Sequence, residues 1–200
     1  MESATLDGRR VRGATSRSTV MRAAVDLASV DGLEGLSIGG LATVTAMSKG
    51  GVVALFGSKE QLQLATIEAA KQIFVASVIA PALTEKGGRG RLEALMDAWL
   101  HYSESRVFSG GCFFASATAE LGARPGPVRD AVAQAMTEWH DVVRRVVQRA
   151  IDLGELDPTD VEQLVFDLTS TLDGANALSL LFDSTEPYAR ARTSVARLLR

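Results

Sequence analysis

The chain has 200 residues, 46% of them apolar, enough for one domain or for a small head on a larger body. Its net charge of −3 excludes a uniformly basic nucleic-acid binder, and its one cysteine, Cys112, excludes an intrachain disulfide and a zinc–thiolate cluster. No apolar run follows the first basic residues and none reaches the ~18 residues that span a bilayer, so the sequence predicts a soluble, cytoplasmic protein without a membrane partner.

The charge is unevenly spread. Arg9, Arg10, Arg12, Arg17 and Arg22 face only Glu2 and Asp7 in the first 25 residues, while the segment after Gln61 is net acidic. Residues 1–14 read as a flexible basic arm suited to phosphate, or equally as a solvated tail. A helix is predicted from Thr19 to Val30, with Val20, Ala23, Ala24, Leu27 and Ala28 on one side and Asp31-Gly32 ending it. Ser37 can cap a short helix carrying Ile38, Leu41 and Ala42; Thr45-Ala46-Met47 turns the chain; Ser48 caps a second short helix with Val52, Leu55 and Phe56 inward. Gly57 stops it, and Ser58-Lys59-Glu60 opens a long helix to about Ile79. Two short helices meeting steeply make a helix-turn-helix, whose second helix fits a DNA major groove.

Pro81 and Gly87 to Gly90 mark the exit of the long helix. Further helices are predicted at Arg91–Ser105, at Phe113–Leu121 after the Gly110-Gly111-Cys112 break, and at Val128–Leu153. The next starts with Pro158 in its first turn and runs to about Phe182, and the last covers Glu186–Leu199. The fold class is all-α, about nine helices, with no internal repeat.

The run from Val20 to Ile38, VMRAAVDLASVDGLEGLSI, followed by Ser48, Lys49, Gly50, Phe56, Ser58, Lys59 and Glu60 in that order, resembles the DNA-binding head of the TetR-type (tetracycline-repressor-like) transcriptional regulators over roughly residues 15–75. The resemblance implies a helix-turn-helix domain at 15–62 and a ligand-binding and dimerisation domain at 63–200. It implies DNA contacts from Ser37, Ser48, Lys49, Gly50, Gly51, Val53 and Lys59, joined by the arginines Arg9, Arg10, Arg12 and Arg17. The family commonly has an aromatic residue where this chain has Val53, His or Tyr at Leu55, glycine at Ala46 and a longer side chain at Gly39. The recognition helix therefore has little polar reach, and the arginine arm gains weight.

The resemblance also implies a homodimer on palindromic double-stranded DNA, its last two helices pairing with their copies in a four-helix bundle. Leu168, Leu172, Ala175, Leu178, Phe182, Val195, Leu198 and Leu199 form the candidate stripes, which would serve a body core equally well. It implies a cavity for a small-molecule effector as well. Candidate lining residues are Phe74, Met96, Trp99, Tyr102, Phe113, Phe114, Trp139, His140 and Phe166, again with plain core packing as the alternative. No cofactor or metal motif is present: the two histidines lack ligand spacing, there is no nucleophile elbow or phosphate loop, and only residue type suggests a Cys112–His140 pair. The expected function is ligand-responsive DNA binding, a repressor released by a largely apolar effector. The alternative is a helical dimeric interaction module with a degenerate head, and no catalysis is expected.

Overall fold

The structure, a computed structural model, describes the backbone from residue 3 and the side chains from residue 17, residue 159 apart. Arg9, Arg10 and Arg12 lie outside the described residues. Among those described there are nine helices and no strand: α1 (Ser3–Gly35), α2 (Ile38–Val44), α3 (Lys49–Phe56), α4 (Lys59–Ala82), α5 (Arg89–Glu104), α6 (Phe113–Leu121), α7 (Pro127–Asp152), α8 (Val161–Leu181) and α9 (Glu186–Leu198).

Helix starts follow the chemistry of their caps. Ser37, Ser48 and Ser58 each accept the backbone N–H three residues on, at 3.0–3.1 Å, which satisfies donors that the first turn leaves free. Two starts differ from the sequence reading. α8 begins at Val161, capped by Asp160, which accepts from Gln163 N at 3.1 Å, so Pro158 lies in the preceding coil. α5 begins two residues early because Glu155, beyond the end of α7, accepts from Gly88 N and Arg89 N at 2.7 and 2.8 Å. A cap from 66 residues away leaves no local signal.

α4 departs most from expectation. It passes Pro81 and holds a π turn at Val75–Ile79, where Ala80 N donates to Val75 O. Proline has no N–H to offer the ladder, and the widened turn precedes it. Leu62, Thr66, Ala70, Phe74, Val78 and Ala82 recur every four residues and are all buried. Such a row drifts by about 40° per step in a pure α-helix, and the extra residue of the π turn takes up part of that drift. α4 is also long and apolar enough to cross a bilayer, with a mean hydropathy of 1.3 over 18 residues, against the expectation from sequence. Glu68 and Lys71 interrupt the apolar run without lowering its average, and the buried row is packed within the protein.

Apolar residues gather in two clusters. Val20, Met21, Ala24, Leu36, Leu41, Ala42, Val52, Phe56 and Leu62 form the smaller one, under α2 and α3. The larger fills the space between α4–α9 and the end of α1. α1 and α4 contribute to both, so they join head to body.

Candidate DNA-binding head and effector cavity

α2 and α3 meet with a 117° bend. The turn between them places Ala46 at φ 54, and Met47 N reaches back to Ala42 O at 3.0 Å. A Cβ in this left-handed region is strained, as expected where the family has glycine. Val52 and Phe56 anchor α3 in the small cluster, and Leu55 is half-buried beside it. This leaves Ser48, Lys49, Gly50 and Val53 on the outer face, with Ser37 exposed nearby and Gly51 partly covered. Space beyond Gly50 is open within 4 Å, which permits close backbone approach. The serine oxygens use a lone pair for their caps, so each O–H remains free to donate to an anion.

The two other predicted contacts are engaged with the protein. Lys59 Nζ donates to Glu34 O at 2.6 Å and to Glu34 Oε2 at 3.2 Å, and this pairing holds the Glu34 carboxyl below its usual range. Both side chains are about half exposed, so one ammonium proton still has access to solvent. Arg17 lies over the Phe56 ring, 5.3 Å from its centroid, and Nη1 reaches Leu55 O at 3.4 Å, which ties it to the end of α3.

A cavity of about 360 Å³ opens among α4, α5, α6, α7 and α8. Four of the predicted residues line it: Phe74, Trp99, Phe114 and Trp139. Phe74 is the hub, edge-on to Trp139 at 5.1 Å and to Phe114 at 6.0 Å. Met96, Tyr102, Phe113, His140 and Phe166 do not line it. Met96 and Phe113 are core residues, and Tyr102 stands behind Phe74 with its hydroxyl buried and without a hydrogen-bond partner among the described residues. Burial raises the Tyr102 pKa, an effect the nearby Phe113 backbone offsets only in part. His140 is half-buried on the flank of α7, its pKa lowered by burial and then by Arg144. Phe166 faces outward and is 64% exposed.

Sequence reasoning missed the polar part of the wall: Lys71, Glu138, Asp141, Arg145, Cys112 and Asp173, with Val75, Ile79, Ala115, Ala135, Met136 and Val142 filling between. The available signal was spacing on α7. Ala135, Trp139, Val142 and Arg145 follow the helical repeat, so one cavity-facing side chain locates the others. Val75 and Ile79 are the ends of the π turn. Burial pushes the Cys112 thiol up to about 12, so it is a neutral lining group rather than an activated nucleophile.

Two connections run from the cavity wall to the head. α6, which carries Phe114 and Ala115, also carries Glu120, whose carboxylate accepts Leu33 N at 2.7 Å and Glu34 N at 2.8 Å. These donors are freed by the kink at Gly32 (φ 78). The loop before α6 makes the second connection. Ser109 N donates to Asp26 Oδ1 at 2.8 Å and Gly110 N to Ser29 Oγ at 3.0 Å, both on α1. Two residues on, Cys112 N donates to Asn176 Oδ1 at 2.9 Å on α8. Asn176 also accepts from Ser103, which shares the Tyr188 hydroxyl with Ser179 and Arg106. A Cβ at Gly110 would fall 1.9 Å from Ser29 O, so only glycine allows this approach.

The family model for the C-terminal domain of tetracyclin repressor-like proteins matches residues 88–195, more than half of the chain. The chain belongs to the TetR family of transcriptional regulators. Comparison with curated protein sequences gives no match. Among solved structures, a TetR transcriptional regulator from Chloroflexus aurantiacus is 28% identical, with a TM-score of 0.86 over 93% of this chain and 94% of that one. A TetR-family regulator from Cytophaga hutchinsonii shares the fold at 19% identity, with a TM-score of 0.82 over 93% of each chain. AibR, solved in complex with isovaleryl coenzyme A and operator DNA, is 19% identical, with a TM-score of 0.67 over 80% of this chain and 84% of its own.

In this TetR-family chain the positions read from sequence as a dimer stripe divide in two. Leu168, Leu172, Ala175, Val195 and Leu199 are covered by their own chain, Leu172 being only 1% exposed, because α8 and α9 pack on α5 and on each other. They are core positions, and Leu198 is half-buried beside them. Leu178 and Phe182 are exposed. With Phe166 and Leu181 they follow the four-residue repeat through Ser170 and Gly174 along the outer side of α8, Leu181 at 74% exposure and Phe182 at 66%.

Proposed function

We propose that this chain is a ligand-responsive transcriptional regulator, a homodimer that represses from a palindromic operator and releases it when a small, largely apolar effector fills the cavity. One observation carries the reading: α6 forms cavity wall through Phe114 and holds the last turn of α1 through Glu120. A ligand that displaces Phe114 acts on the helix that fixes the head. The bundle then has two arrangements, and an effector that binds one more tightly shifts the population by that difference in affinity. The outer stripe of α8 supplies the apolar face for a second copy, and two heads reach two half-sites of DNA. Ser37, Ser48, Lys49, Gly50, Gly51, Val53 and Lys59 form the DNA face, with the arginines of the arm adding charge. Neither Cys112 nor His140 has a catalytic role here.

The test is selection of duplexes from a random pool, followed by anisotropy titration at several salt concentrations. The expected result is a sequence with two symmetric half-sites and an affinity that falls steeply with salt. Failure to enrich any sequence, with affinity indifferent to salt, removes the regulator reading. It would favour a head used for protein contacts, for which the exposed Val44 and Val53 provide an apolar surface.

A further inference from the structure

The charged groups of the cavity are not equivalent. Lys71 pairs with Glu138, and Asp141 pairs with Arg144, so these charges largely cancel at the rim. Two lining groups remain without an ion-pair partner among the described residues. Arg145 is exposed at the mouth, where water and salt screen it. Asp173 is mostly buried on α8, on the side of Trp99 and Cys112, and no protein group donates a hydrogen bond to it. Burial alone pushes its pKa up to about 6, so it is still largely ionised at neutral pH. Burying an unpaired carboxylate opposes folding, and a group kept there against that cost fits a partner that arrives from outside. The aromatic walls favour the same sign of charge, because the faces of Trp99, Trp139, Phe74 and Phe114 present negative π density to the space.

We propose that Asp173 is the recognition group of this cavity and that its ligand is an organic cation, a protonated amine carried on an apolar body of aromatic size. The assignment rests on reading the cavity as the effector site. The ammonium donates to the Asp173 carboxylate in the interior, the body lies against the tryptophans, and Arg145 stays in solvent. The weaker screening inside decides between the two lone charges, since one charge exerts several-fold more force in the interior than at a wet rim.

Trp99 and Trp139 are the only tryptophans in the chain, so intrinsic fluorescence reports on this cavity alone. Phenylbutylamine, phenylbutanol and phenylbutyrate present one body with a cation, a neutral group and an anion. Titration of the full chain is expected to show the amine binding at least ~10-fold tighter than the alcohol, as for a hydrogen bond to a charged group. Asp173→Asn should abolish that preference while leaving the alcohol's affinity within about twofold, and Asp173→Glu should retain it. Circular dichroism verifies the fold of both variants, and the second keeps the test open if the first does not fold. Equal affinities for amine and alcohol, tightest binding of the butyrate, an unchanged preference in Asp173→Asn, or no response to any of the three each overturns the assignment. Release of the selected duplex, followed on the same samples, separates this from the regulator reading. Amine binding without release leaves Asp173 in its role and rejects the effector mechanism. Release by the alcohol or the butyrate alone does the reverse.

Discussion

Glu120 holds the backbone of Leu33 across 87 residues of sequence, its Oε2 accepting the Leu33 N–H at 2.7 Å while Oε1 takes that of Glu34. One carboxylate thus repairs the kink at the end of α1 and fixes the head to a helix of the cavity wall. Removing it by Glu120→Ala strands two donors, at a cost of about 1–3 kcal/mol. Amide exchange at Leu33 and Glu34 should accelerate, and effector should release DNA less completely. Gly32→Ala should act in the same direction, because a Cβ there falls 2.7 Å from the Glu120 carboxyl carbon on a backbone at φ +78. Unchanged exchange in both variants would remove Glu120 from the coupling.

Lys59 is expected to share its charge between Glu34 and DNA. Lys59→Ala should weaken binding to all duplexes about equally and lower the salt slope by about one unit. Glu34→Gln should raise affinity slightly by releasing the ammonium. An unchanged slope in Lys59→Ala would confine Lys59 to its role between α1 and α4.

Ala46 is a site of removable strain. With φ at 54, Ala46→Gly should stabilise the head by about 1 kcal/mol or less, read as a raised midpoint in thermal unfolding. The gain should not depend on salt, since no charge is involved. A lower midpoint would mean that the flexibility glycine gives the unfolded chain outweighs the relief.

The assembly prediction moves outward from the stripe read in sequence. Leu181→Glu and Phe182→Glu should convert a sedimenting dimer into a folded monomer, because a two-fold interface buries each new charge twice. Leu172→Glu should instead unfold the chain, as Leu172 lies in the chain's own core. A dimer that persists in both surface variants would place the interface elsewhere.

Asp173 gives a pH signature. Its carboxyl is raised from 3.8 to about 6 by burial, so the folded state holds the proton more tightly than the unfolded state. Below about pH 4 both states are protonated and the group costs nothing. As pH rises through 4–6 the unfolded state gains from ionising before the folded state does, and the destabilisation is complete above about 6. Cys112 stays neutral throughout, and Lys71, Glu138, Asp141 and Arg145 are common to wild type and variant. Asp173→Asn should therefore raise the thermal midpoint by a few degrees at pH 7 and by nothing at pH 4. Equal midpoints at pH 7 would mean that water reaches Asp173 well enough to remove the penalty.

The helical plan was legible because its signals are local. Three serines with their backbone donors, the apolar spacing of Val20, Ala24 and Ala28, and Gly57 all act within a turn or two of themselves. The aromatic half of the cavity was legible too, since large apolar side chains must pack somewhere. Residues acting across the fold left no such trace. Glu120, Glu155 and Asn176 each bond to backbone 64 or more residues away, and their neighbours in sequence are unremarkable surface or helix positions. Leu168 and Phe166 show the other gap: periodicity finds an apolar helix but does not say which of its sides meets its own chain.

The π turn of α4 makes residue count matter as much as residue identity. It lets Val78 and Ala82 stay in line with Phe74 despite an interval that would otherwise rotate them away. Deleting one residue, such as Ala76, would close the turn to regular α geometry and swing everything after it by about 100°. Val78 would leave the core and Ile79 the cavity, although no buried side chain had been altered. A one-residue deletion in this segment should therefore be more damaging than a conservative substitution at any single position within it. The turn acts as a phase setting, transmitted rigidly from the head to the far side of the cavity.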